Sequence, residues 1–120
     1  MNMSCKHEHQ QAKVLTEQEL QALSRSAAMF AAMAEVMRLR ILLLLHEYQE
    51  LCVSQLSEML GDKVNTTSMR LKKLHDAGLL DKRRDAKHIY YRLKDEHIVS
   101  IIHNAYEHSH EPEIGADNDL

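Results

Sequence analysis

The chain has 120 residues, a net charge of −3 and 44% hydrophobic residues, which suits one domain with one core and leaves little for a second. Three Gly, one Pro, four Tyr, one Phe and no Trp, with Leu, Ala, Met, Glu and Lys plentiful, favour helices and exclude a turn-rich all-β fold. The longest apolar run, residues 41–45, is too short to span a membrane; the opening Met-Asn-Met-Ser-Cys-Lys has no charged-then-apolar signal pattern, and two distant Cys build no disulfide framework, so a reducing cytoplasm is expected.

Residues 1–15 lack an apolar period and read as a mobile arm. Thr16-Glu17-Gln18-Glu19 is a capping box, and a helix should run from it to about Ala34. Leu20, Leu23, Ala27, Phe30, Ala31 and Ala34 recur at helical spacing, with Ala28, Met29, Ala32 and Met33 beside them. A helix apolar over more than half its girth calls for a second partner, such as another subunit. Residues 37–48 read as a second helix. Residues 54–60 read as a short third one, with Ser54 as N-cap and Gly61 closing it. A fourth follows Asn65, over 66–77, with Gly78 as its C′ residue and Met69, Leu71, Leu74 and Ala77 facing inward. The pattern then alternates: 79–84 and 88–93 flank Asp85-Ala86-Lys87 as a hairpin with a basic tip. Asp95 caps a last helix to about His110, Pro112 stops it, and residues 112–120 form an acidic, disordered tail.

The charge is unevenly placed. Residues 63–94 carry ten Lys or Arg against three Asp, a balance of +7 that leaves −10 for the rest of the chain. A basic segment inside an acidic protein points to a localised polyanion surface, although an ordinary solvated face would also carry charge. Short helix, tight turn at residues 61–64 and second helix make a helix-turn-helix, and the hairpin makes it winged. Asn65, Thr66, Thr67 and Ser68 are small polar side chains at a helix N-terminus, suited to phosphates and base edges, though Asn65 and Ser68 could also simply cap. Arg70 could fork onto a guanine edge, Lys72 and Lys73 suit phosphates, and Arg83, Arg84 and Lys87 could reach an adjacent groove of duplex DNA.

Histidine is the other anomaly, with nine residues unevenly spread. On the last helix, positions 97, 101, 104, 108 and 111 form one stripe that reads His97, Ile101, Asn104, His108, Glu111. His97 and His108 lie about 16 Å apart along the axis, too far for one ion. Two antiparallel copies of the helix solve this: Asp95 and His97 of one meet His108 and Glu111 of the other, twice per dimer. Two imidazoles with two carboxylates suit Zn²⁺ or Co²⁺, and Ni²⁺ would recruit further ligands. A second, weaker constellation is Cys5, His7 and His9 with Cys52, against which stands an unstructured tail and an inert buried thiol.

Taken together, the chain resembles the ArsR/SmtB family of metal-responsive transcriptional repressors over roughly residues 17–111. The resemblance rests on Arg38-Leu39-Arg40-Ile41-Leu42, Glu50-Leu51-Cys52-Val53-Ser54-Gln55-Leu56, Ser68-Met69-Arg70-Leu71-Lys72-Lys73-Leu74, Ala77-Gly78-Leu79 and His88-Ile89-Tyr90-Tyr91-Arg92-Leu93. Asp95-x-His97 followed by His108-x-x-Glu111 is similar to the zinc-sensing subgroup. The resemblance implies a mainly helical winged helix-turn-helix over 16–111, a homodimer built on the first and last helices, and an apo form that binds operator DNA and is released by metal, derepressing efflux or sequestration genes. Two departures stand out. Glu35-Val36-Met37 replaces an Asp-Pro before Arg38, and Ser54 occupies a position where relatives with a thiolate site carry Cys. A metal-buffering protein and a pH-responsive winged-helix regulator are the competing readings. An enzyme is disfavoured, because no nucleophile-base motif or Gly-rich phosphate loop is present and a four-ligand protein site is closed to substrate.

Overall fold

A computed structural model describes residues 10–110 of the chain. Helix α1, Glu17–Met33, opens on the expected capping box: the Thr16 hydroxyl accepts from the Glu19 amide at 3.1 Å, and the Glu19 carboxylate accepts from the Thr16 amide at 2.9 Å. Helix α2, Val36–Tyr48, starts at Glu35, whose carboxylate accepts from the amides of Met37 and Arg38 at 3.0 and 3.1 Å. The missing Asp-Pro is thus replaced by a longer acidic cap, and those amides, Met37 first, hold the Glu35 carboxyl below its ordinary pKa.

A two-residue strand β1, Leu51–Cys52, leads into helix α3, Val53–Leu60. Ser54 is not the N-cap. Cys52 takes that position because the Gln55 side chain reaches back to accept its amide at 2.8 Å, so the cap lies two residues earlier and the helix begins at Val53. Gly61 ends α3 at φ +72, with the Gly61 and Asp62 amides donating to the carbonyls of Glu58 and Ser57. The buried Ser57 hydroxyl donates to the Asp62 carbonyl and tightens the same turn. Helix α4, Val64–Asp76, therefore begins with Lys63 as N-cap, and Asn65 lies inside its first turn rather than before it. Its end is as expected. Gly78 adopts φ +83, its amide donates to His75 at 2.9 Å, and the Leu79 amide donates to Leu74 at 3.0 Å.

Strands β2, Leu80–Asp85, and β3, His88–Leu93, form the wing, in register from Leu80 opposite Leu93 to Asp85 opposite His88. The turn is two residues, Ala86 and Lys87, with Ala86 at φ +58. β1 adds to β3, giving the order β1-β3-β2. A strand of two residues carries no alternation, and the sequence pattern does not reveal it. Helix α5, Glu96–His110, is capped by Asp95, which accepts from the His97 amide at 2.9 Å. Among the described residues no helix is long and apolar enough to cross a membrane.

Ile41, Leu42 and Leu45 of α2 sit at the centre, sealed by Leu56, Leu71, Leu74, Leu79, Leu80, Ile98 and Ile102. Two expected core faces turn out differently. On α1 it is Met29, Ala32 and Met33 that pack inward, while Leu20, Leu23 and Phe30 remain half exposed. On α4, Thr67 joins Leu71 and Leu74 inside at full burial, and Met69 is 69% exposed. The spacing of 67, 71 and 74 is a regular four-then-three step along one helix face, whereas Met69 is about 200° around the axis from Thr67.

Gly78 holds a left-handed conformation, and a Cβ there would meet the Met29 methyl only at an ordinary 3.5 Å. The cost of Gly78→Ala is therefore backbone strain, and urea unfolding should show a loss of about 1–2 kcal/mol.

Candidate nucleic-acid interface and metal-ligand stripe

The inward line of α4 decides what faces out. Asn65, Thr66, Ser68, Met69, Lys72 and Lys73 are exposed. Thr67, expected among the contact residues, is corrected to a core residue, and its Oγ1 is buried without a hydrogen-bond partner. Lys63 provides no side-chain cap, so the first-turn amides of α4 point outward at the positive end of the helix dipole, an arrangement that favours an anion. Ser68 and Val64 of α4 border a groove of about 380 Å³ with Lys87, His88 and Ile89 of the wing and Cys52–Ser54 of the α3 start. The start of α4 and the wing tip thus belong to one surface.

The ten cations of the basic segment divide into two groups. Arg70 is held by Asp62 at 2.6 Å and approaches Glu35 at 3.5 Å, with its side chain 22% exposed. It ties α4 to both the helix-turn-helix turn and the α1–α2 junction, where Arg38 also donates to the Ala32 carbonyl at 2.6 Å. That occupies the guanidinium expected on a guanine edge. Arg83 is similarly engaged, donating to both Glu50 oxygens at 2.7 and 2.8 Å and lying 4.8 Å from the Tyr90 ring centre. The pair fixes the wing to the loop after α2, and the Arg83 hydrogen bond lowers the Glu50 pKa. Gln49, at φ +74, turns the chain so that the Glu50 amide meets the Tyr48 carbonyl at 2.8 Å and Glu50 reaches the wing. Lys72 pairs with Asp76 at 2.8 Å but stays 73% exposed. Lys73, Arg84 and Lys87 have no ion-pair partner among the described residues, and they are exposed.

The metal-ligand stripe is divided as helix geometry requires. Asp95 and His97 stand together at the start of α5: His97 Nδ1 is 3.3 Å from Asp95 Oδ1, and the ring is 93% exposed. His108 lies in the last turn and is exposed. Glu111 lies outside the described residues. Among the described residues no three His, Cys, Asp or Glu converge as a metal group. Asp95 and His97 instead border a cleft of about 260 Å³ between α1 and α5, whose other walls include Phe30, Ile101 and the Gly78–Leu79 exit of α4. That proximity was not apparent from the sequence. Of the weaker constellation, Cys5, His7 and His9 lie outside the described residues. Cys52 is buried, with Sγ 3.3 Å from Ser54 Oγ. Burial pushes its thiol pKa up, but the Ser54 hydroxyl and the amides of Gln55 and Ser54 outweigh it, and the net shift is downward.

A family model described as bacterial regulatory protein, arsR family, matches residues 36–82. A cadmium resistance transcriptional regulatory protein CadC homolog of Staphylococcus aureus is 31% identical over 85 residues, covering 71% of this chain and 70% of that protein. The HTH-type transcriptional regulator YgaV of Escherichia coli is 35% identical over 85 residues, covering 70% of this chain and 86% of that protein. A solution structure of a homodimeric winged helix-turn-helix DNA-binding domain from Mycobacterium bovis, described as a possible ArsR-family regulator, superposes with a TM-score of 0.69 at 26% identity, covering 91% of this chain and 94% of that one.

Thr67→Val keeps the shape and removes a buried hydroxyl that has no partner. It should leave DNA affinity unchanged and raise stability by about 1 kcal/mol in urea unfolding. A DNA-contact role for Thr67 would show instead as lost affinity at unchanged stability.

Proposed function

The chain belongs to the arsR family of bacterial regulatory proteins, DNA-binding transcriptional regulators of winged helix-turn-helix fold and not enzymes, and from that premise we propose a cytoplasmic metal-responsive repressor whose apo dimer binds operator DNA and lets go when Zn²⁺ or a similar divalent ion binds. The observation that carries this reading is the shared cleft: the two donors at the start of α5 adjoin the residues that end α4. A change at Asp95 and His97 is therefore next to the element that enters the DNA.

The donor chemistry fits a divalent ion only in part within one protomer. Asp95 Oδ1 is engaged by the His97 amide, which leaves the second carboxylate oxygen and an exposed imidazole. Two donors do not complete a tetrahedral set, and His108 is about 16 Å along the helix. A second copy supplies the remainder. Leu20, Leu23 and Phe30 of α1 and Ile101 and Tyr106 of α5 are large apolar side chains left exposed on the two helices that flank the cleft. Pairing them across a two-fold axis, with the α5 helices antiparallel, would bring His108 of the second copy toward Asp95 and His97, and Glu111, three residues on in the sequence, is the proposed fourth donor. A bound ion would supply a cross-link between subunits. Asp95 and His97 would hold one side of it, and the second copy's His108, through its other ring nitrogen, could engage the Gly78 turn.

Duplex binding is carried by the exposed start of α4 and the wing tip. Lys73, Arg84 and Lys87 supply phosphate contacts, and Arg70 and Arg83 act as braces that hold helix and wing in place.

Calorimetric titration should find two Zn²⁺ per dimer, and His97→Ala should abolish both. Saturating Zn²⁺ should weaken DNA binding by about 5- to 150-fold, and His108→Asn should bind metal with that effect reduced. Equal DNA affinity with and without metal would overturn the reading. Lys73→Ala should lower affinity for all sequences and reduce the salt slope by about 1.

A further inference from the structure

Among the described residues, exposed large apolar side chains are spread over α2, α3 and α4 as well as α1 and α5, and Leu20, Leu23 and Phe30 of α1 and Ile101 and Tyr106 of α5 are the ones the proposed dimer covers. Met69 does not belong to that group. It is 69% exposed on α4, in a shallow depression bordered by Thr66, Lys73, Arg38 and Arg70. Cations flank it, and the axis of α4 places it almost opposite the buried line of Thr67, Leu71 and Leu74. Asn65 is four residues earlier on the same outward stripe. These two point straight away from the core in the half of the helix that leads.

A duplex major groove is lined with hydrogen-bonding edges and phosphates, and the C5-methyl of thymine is the apolar group it presents. An amide side chain, in turn, matches the donor-acceptor pair of adenine N6 and N7. We propose that Asn65 and Met69 read A·T pairs in each half-site, with the Met69 thioether chain packed on a thymine methyl. Lys73, exposed and without an ion-pair partner among the described residues, sets free positive charge beside this apolar patch and favours DNA over a protein as its occupant. Arg70 is braced on Asp62 and Glu35, so the reading edge of the helix is an amide and a methionine, not a guanidinium. This inference rests on the DNA-binding reading above.

The test uses the full-length apo protein with chelator present. Duplexes are selected from a random pool by the wild-type protein, then resynthesised with deoxyuridine replacing thymidine one position at a time, which removes the methyl and preserves pairing. At one or more thymines per half-site the replacement should weaken wild-type binding by about three- to fivefold, the worth of one buried methyl. Met69→Ala, at an exposed position that leaves the core intact, should bind thymidine and deoxyuridine duplexes alike, and Met69→Leu should retain the methyl dependence. A methyl dependence that persists in Met69→Ala, or selected duplexes without any methyl dependence, overturns the inference and leaves DNA binding standing. Failure to enrich any duplex overturns the DNA-binding reading itself, and this inference with it.

Discussion

One line of three side chains governs this molecule. Thr67, Leu71 and Leu74 lie fully buried along α4 and press that helix onto α2 and α3. Because a helix is rigid in rotation, burying one line fixes every other direction around the axis. Asn65 and Met69 are turned out, Ser68 is turned toward the wing, and Arg70 is turned back onto Asp62 and Glu35. The chemistry of the outer face is thus a by-product of apolar packing on the inner one. The burial of the Thr67 hydroxyl without a partner is a cost accepted within that line.

The basic segment looks less uniform in space than in sequence. Arg70, Lys72, Arg83 and Lys94 each meet a carboxylate within 3.2 Å. The exposed pairs among them contribute little to stability. Their value here is positional. Arg70 joins α4 to two neighbouring segments, and the two-pronged Arg83–Glu50 contact sets the wing against the loop after α2. The strained Gln49 backbone serves that contact by delivering Glu50 to it.

Much of this was legible in the residues. The Thr16 box, the Gly61 and Gly78 exits, the hairpin and the Asp95 cap are local signals, decided within a few residues, and each holds. The misread features depend on which partner each side chain finds once the chain is folded. Ser54 looks like a cap until Gln55 takes the Cys52 amide. Arg70 and Arg83 look available until Asp62 and Glu50 are brought to them by folding. The α1 stripe was legible as too apolar for one core, but which side faced inward was not, since Met29 and Met33 are as apolar as Leu20 and Leu23. The Thr67 hydroxyl alone suggests a polar contact, while its four-then-three spacing with Leu71 and Leu74 is the signal that places it inside. For the metal stripe, the eleven-residue gap in the sequence already called for a second helix, and the nearness of its first two donors to the α4 exit depends on tertiary packing.

The apolar side chains that α1 leaves in water tie the state of the molecule to its concentration. In the proposed dimer a second copy covers them, so stability would gain a dependence on concentration. Dilution would then remove more than DNA affinity: it would uncover Leu20, Leu23 and Phe30 and dismantle the proposed ion site at the same time. The sensitivity of the proposed response would be set partly by how many copies are present, and control of its own supply would become part of its calibration.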